Sequence, residues 1–111
     1  MKLKEIIKEL NLKVLSATGN LDVEVNGGYV SDLMSDVMAN SKKGDIWVTL
    51  QTHQNTVAVA VLKELVGIIV IGGRIVEEGT LKKAEKENVP IMVTELSAFE
   101  IVGRLYRSGI G

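Results

Sequence analysis

The chain has 111 residues, 46% of them apolar but only 4% aromatic, with a formal net charge of −1 and no cysteine. That length suits one domain around one core, assembled from Val, Ile, Leu, Met and Ala rather than from rings. The near-neutral charge excludes a basic nucleic-acid footprint or an anionic membrane surface as the main partner, and the missing cysteines exclude disulfides, thiolate catalysis, cysteine-ligated iron–sulfur clusters and the usual structural zinc sites.

The first segment, "KLKEIIKEL", sets Leu3, Ile6, Ile7 and Leu10 at helical spacing with lysines on the other face, which predicts an amphipathic helix ending at Asn11. It carries no signal-peptide hydrophobic region, and no apolar run reaches the length of a membrane span; the expectation is a cytoplasmic protein. "KVLSATG" reads as a short strand. "LDVEV" alternates Leu21, Val23 and Val25 with Asp22 and Glu24, a period of two that predicts a half-exposed strand, with Asn26-Gly27-Gly28 as the turn after it. Ser31 or Asp32 is the expected N-cap of a helix through "LMSDVMAN", with Leu33, Met34, Val37 and Met38 on its apolar stripe.

From Asp45 the pattern becomes regular. "DIWVTL", "GIIVI" and "VPIMVT" are β-branched runs, each followed by a helical segment: "NTVAVAVLKEL", "EEGTLKKAEKEN" and "SAFEIVGRLYRSGI". Strand–helix repeated in this way predicts a mainly parallel sheet buried on both faces, hence an α/β fold of three layers, α/β/α, over residues 1–111 as one domain.

In an open parallel sheet, ligands bind beyond the carboxyl ends of the strands. Three such ends can be named here: Thr49 to Asn55, Gly72-Gly73-Arg74, and Thr94 to Ser97. If the strands are parallel these share a rim, and the expected ligand-binding residues are Gln51, Thr52, His53, Asn55, Gly72, Gly73, Arg74, Thr94 and Ser97. The glycine pair either brings backbone N–H groups to an anion, helped by a following helix start, or merely turns the chain; Glu77 and Glu78 favour the plain turn. Neither a Walker sequence nor GxGxxG is present.

His53, the single histidine, suits phosphate binding or proton transfer but lacks companions for a metal site or a triad, and a polar rim role is the simpler reading. Thr52 and Asn55 double as N-cap candidates. Asp32 and Asp36, four apart on one helical face, could hold Mg²⁺ through water, though a solvated face explains them as well; no metal and no cofactor is expected. Trp47 and Phe99 are read as core or interface anchors, with adenine stacking as the lesser role. The unbroken apolar run Val57 to Leu62 marks a central helix or one shared between subunits, so a homodimer is expected.

The ordered segments "VSDLMSDVMAN", "IWVTLQTHQNTVAVAVLKELVGIIVIGGR" and "AEKENVPIMVTELSAFEIVGRLY" resemble the DRTGG domain family, with Ile71-Gly72-Gly73 as counterpart of its glycine-pair motif. The resemblance runs from about Val14 over nearly the whole chain. It implies a fold like the N-terminal domain of HPr kinase/phosphorylase, the domain also found between paired CBS modules of regulated pyrophosphatases and in some phosphotransacetylases. It further implies a regulatory, oligomerising or ligand-sensing role, in small stand-alone forms beside redox and hydrogenase proteins. The motif is incomplete, because Ile69-Val70-Ile71 stands where Asp-Arg-Thr would precede the glycines.

The combined expectation is a non-enzymatic regulatory module that binds a small anionic ligand, such as an adenine nucleotide, and acts through a partner: a redox or metabolic enzyme, or a signalling protein. A pure homo-oligomerisation or protein-interaction domain without ligand, its interface formed by the apolar 57–62 helix and the "SAFEIVGRLY" helix, is the alternative. An enzyme using His53 on a phosphorylated or acyl compound is the third reading.

Overall fold

The expected strand–helix repeats are present in the computed structural model, which describes residues 1–110. In chain order the elements are α1 (Leu3–Leu10), β1 (Lys13–Val14), β2 (Gly27–Val30), α2 (Met34–Asn40), β3 (Asp45–Thr49), α3 (Asn55–Lys63), β4 (Gly67–Val70), α4 (Glu78–Lys86), β5 (Ile91–Val93) and α5 (Ala98–Arg107). The sheet order is β1-β5-β4-β3-β2. Strands β2 to β5 run parallel, and only β1 is antiparallel, on β5. Every β-α-β step therefore moves one strand across the sheet.

Because side chains alternate along a strand, each central strand feeds two cores. Ile46, Val48, Ile69, Ile71 and Met92 meet Leu3, Ile6 and Leu10 of α1 and Ile101 and Leu105 of α5. Trp47, Ile68, Val70 and Ile91 meet Val37 of α2, Val57 and Ala60 of α3 and Ala84 of α4. The result is the three-layer α/β/α arrangement that the β-branched runs imply. Trp47 is fully buried, and its indole N–H donates to the Ser31 carbonyl at 2.8 Å. No helix among the described residues is long and apolar enough to cross a membrane.

The first third differs from expectation. "LDVEV" has the alternating burial its period of two suggests but forms no strand of the sheet. Its carbonyls go instead to the start of α1: the N–H groups of Leu3 and Lys4 donate to Val23 and Leu21 at 2.9 Å. These donors have no partner within their own helix, so the segment caps α1. Asn26-Gly27-Gly28 is not a turn either, since Gly27 and Gly28 open β2 and pair with Asp45 and Ile46. A Cβ on Gly27 would lie 2.9 Å from Asp45 Oδ1, so close parallel pairing rather than turn geometry accounts for that glycine. The strand expected in "KVLSATG" shrinks to Lys13–Val14. The N-cap of α2 is Leu33, with no side-chain cap bond, rather than Ser31 or Asp32.

Ser16, fully buried, fastens the segment after β1 to β5: its hydroxyl donates to the Val89 carbonyl at 2.8 Å and accepts from the Ile91 N–H at 2.9 Å. Ser16→Ala strands both backbone groups away from water. It is expected to lower stability by about 1–3 kcal/mol in urea unfolding, with an unchanged denaturant slope.

Candidate functional site

The parallel run from β2 to β5 brings all four strand exits to one rim, but the exits divide into two neighbourhoods. At the end of β3, Asp32 gathers the loop. Its Oδ1 accepts from the Thr49 hydroxyl at 2.9 Å and the Leu50 N–H at 2.7 Å, and its carbonyl accepts from the Gln51 side-chain amide at 2.8 Å. The Thr52 carbonyl accepts from the Thr80 hydroxyl at 2.7 Å, and the Thr52 hydroxyl lies 3.5 Å from Glu77. His53 is exposed; its Nδ1 accepts from the Asn55 N–H at 3.1 Å, and its carbonyl takes the Thr56 hydroxyl at 2.8 Å. These polar groups are engaged in building the β3–α3 loop. The N-cap position of α3 is Gln54, without a side-chain cap bond, rather than Thr52 or Asn55.

Asp32 precedes α2, so it does not share a helical face with Asp36. Asp36 instead accepts from the Tyr29 hydroxyl and the Asn40 amide, both at 2.8 Å. Hydrogen bonding from Ser31, Tyr29 and Asn40 holds its carboxyl below the ordinary range. The same contact, reinforced by desolvation, pushes the Tyr29 phenol up. Among the described residues no cluster of His, Cys, Asp or Glu could hold a metal ion.

The second neighbourhood lies where β4 and β5 end. From β4 the chain goes to α4 on one face of the sheet, and from β5 to α5 on the other. Such divergence opens a crevice between neighbouring strand exits. A cleft of about 770 Å³ occupies it, within the range of small-molecule sites. Lys13, Arg74 and Arg104 reach it from β1, the β4–α4 loop and α5, against a single carboxylate, Glu95. Leu15, Ile75, Val76, Leu81 and Leu96 supply apolar walls, and Asn11 and Thr94 add polar groups. Lys13 and Arg74 form no ion pair among the described residues, whereas Arg104 Nη2 sits 3.4 Å from Glu100.

Gly72 and Gly73 both have φ near +69°, the left-handed region that favours glycine. Their N–H groups do not face the cleft as free donors, because Gly72 donates to the Leu96 carbonyl and Gly73 to the Thr94 carbonyl, each at 2.9 Å. Nor does a helix start directly after them, since α4 begins at Glu78. The pair is therefore a structural turn that staples two loops, and an anion cradle of glycine N–H groups is not what it forms.

Of the expected ligand-binding residues, Gly73, Arg74 and Thr94 line the cleft and Gly72 turns the chain beside it. Gln51, Thr52, His53 and Asn55 stand in the β3–α3 loop, and Ser97 caps α5 by accepting from the Glu100 N–H at 3.3 Å. Lys13 and Arg104 were not foreseen. Lys13 arrives because β1 is antiparallel, pairing Lys13 with Val93, and Arg104 because α5 crosses to the face of α1. Phe99 is 92% exposed and Trp47 is buried, so Phe99 is no core anchor and neither ring lines the cleft.

No family profile and no curated protein matches the sequence. Among solved structures, the chain is similar to the CBS and DRTGG domains of the regulatory region of Clostridium perfringens pyrophosphatase, a crystal structure in complex with the activator diadenosine tetraphosphate. The TM-score is 0.73 at 16% identity, covering 96% of this chain and 46% of that one. The chain thus spans about half the length of that relative. At this identity the likeness carries the fold, and the chain has a DRTGG-like α/β fold.

Gly72→Ala and Gly73→Ala are each expected to cost roughly 1–2 kcal/mol from left-handed backbone strain. A Cβ on Gly73 would also overlap the exposed Glu95 carboxylate, whose flexible end can move aside. The loss at Gly73 should therefore persist in a Glu95→Ala background; rescue there would show that collision dominates. The Asp36 carboxyl titrates lower when folded, so its contribution is complete above the ordinary carboxylate pKa of about 4 and is lost as pH falls through the folded value. Asp36→Asn should flatten that portion of the acid limb in pH-dependent urea melts.

Proposed function

We propose that this chain is a non-enzymatic regulatory module of the cytoplasm that binds an anionic small molecule of the adenine-nucleotide class in the β4/β5 cleft. The observation that carries this reading is the convergence of Lys13, Arg74 and Arg104 on an apolar-walled cleft in a molecule whose overall charge is −1. Cations on three separate elements suit a charged group bridging them, and the aliphatic walls suit a flat ring system beside it. The similarity to a regulatory region crystallised with diadenosine tetraphosphate supports both the role and the ligand class.

A non-catalytic reading is supported by His53. Its Nδ1 is engaged by the Asn55 N–H, and its ring is not part of the cleft lining. Occupancy would reach a partner protein through α5, which begins directly after the Thr94–Leu96 wall and sends Arg104 into the cleft. A ligand phosphate competing with Glu100 for Arg104 would favour one setting of that helix over another.

The test is a thermal-shift series with AMP, ATP, diadenosine tetraphosphate and inorganic phosphate. A nucleotide at a hundred times its dissociation constant should stabilise the protein by about 2.7 kcal/mol. The combined Lys13→Ala and Arg74→Ala variant should lose most of that response, while His53→Ala and Lys43→Ala retain it. A response that survives the double variant would move the site elsewhere, and no response to any nucleotide would sink the ligand-sensing reading.

A further inference from the structure

Helix α5 buries Ile101 and Leu105 and turns a second apolar stripe outward. Phe99 is 92% exposed, Tyr106 74% and Val102 38%. Together with Gly103 these recur at the i, i+3, i+4, i+7 spacing of one helical face. A side chain at Gly103 would meet nothing within 4 Å, so the helix is thinned at the middle of the stripe. A shallow groove of about 400 Å³ lies there between Phe99 and Tyr106, bordered by Arg107. On the far flank, a hollow of about 130 Å³ joins Val102 and Tyr106 to Val30 of β2, the open edge of the sheet. An exposed patch of large apolar side chains on this scale marks an interaction surface.

The charges beside the stripe say what covers it. Glu100 lies in the first turn of α5 and Arg104 and Arg107 in the last. Helical geometry puts Glu100 and Arg107 on the same flank, two turns apart. Arg107 has no ion pair among the described residues. In a parallel two-fold pair this flank would face the uncharged Ala98 and Leu105 side of the other helix, and both charges would go without a partner. An antiparallel copy related by a two-fold axis meets opposite charges twice, because in that symmetry each charged flank faces its own image.

We propose that a second copy of this chain docks here, its α5 antiparallel to the first with the axis between Val102 and Gly103. In that register Phe99 lies on the partner's Tyr106, Val102 fills the space over the partner's Gly103, and Glu100 reaches the partner's Arg107. Such a self-complementary patch is what a two-fold interface requires. A ten-residue helix face alone is smaller than the roughly 800 Å² per partner of a standard interface. The adjoining Val30, 48% exposed on the β2 edge, extends the contact. Arg104 borders both the groove and the ligand cleft, but Phe99, Val102, Gly103 and Tyr106 are not part of the cleft lining, and the inference stands whether or not that cleft binds a nucleotide.

Sedimentation equilibrium of the full chain tests it. The wild type should sediment as two chains, and the Phe99→Asp, Tyr106→Asp variant as one, with an unchanged circular dichroism spectrum. Arg107→Glu alone should weaken the dimer by roughly tenfold, since two attractive pairs become repulsive. Adding Glu100→Arg should restore it. A monomeric wild type overturns the proposal; so do a folded double-Asp variant that stays dimeric and a charge swap that fails to recover association.

Discussion

Two hydrogen bonds, from the Gly72 and Gly73 N–H groups to the carbonyls of Leu96 and Thr94, tie the exits of β4 and β5 together where the chain leaves the sheet in opposite directions. Strands β3 and β4 are buried along their whole length, so their backbones have no water to turn to and the ladder must continue to its end. Past that end, α4 and α5 have to diverge to cover both faces. Without the staple the two loops would be free to splay. With it, the gap between the departing helices keeps a fixed shape, and Arg74 and Thr94 stay on its walls. The positive φ of the glycines is the local cost of making that connection within two residues.

Much of this architecture is legible in the chain because its strongest signals are local. Runs such as "DIWVT" and "GIIV" are too β-branched for helix and too short for anything but a buried strand, and the segments between them carry helical periodicity. "LDVEV" fails for the opposite reason. Its period of two is real, and burial follows it, but whether an extended segment joins a sheet or caps a helix depends on which distant backbone groups lack partners. The unpaired N–H groups at the start of α1 claimed its carbonyls. Gly27-Gly28 shows the same limit, since a glycine pair reads equally as a turn or as room for Asp45.

The rim was legible as a place, and less so as a set of side chains. Parallel exits follow from topology alone, and that puts the β3, β4 and β5 loops at one edge. What sequence cannot convey is how much of the hydrogen-bonding capacity there is spent on the loops themselves. Thr49, Gln51, His53 and Ser97 all make contacts within two or three residues or to a neighbouring turn, the habit of short polar side chains next to helix starts. The cleft's cations come from farther away. Lys13 depends on the direction of a two-residue edge strand, and Arg104 on the face α5 chooses; neither leaves a motif.

Magnitudes decide what kind of anion such a cleft can hold under the proposed reading. Lys13 and Arg74 are exposed and Arg104 is half-buried, so each charge contact works against solvent screening and contributes at most about 1 kcal/mol. A micromolar complex needs about 8 kcal/mol. Bare phosphate therefore falls well short, and Glu95, the one carboxylate in the lining, subtracts from its attraction. The remainder has to come from apolar ligand surface laid on Leu15, Ile75, Val76, Leu81 and Leu96, at about 25 cal/mol for each Å² removed from water. A phosphorylated molecule carrying a broad organic group satisfies both requirements at once, which is why the walls of this cleft, more than its charges, set the ligand class.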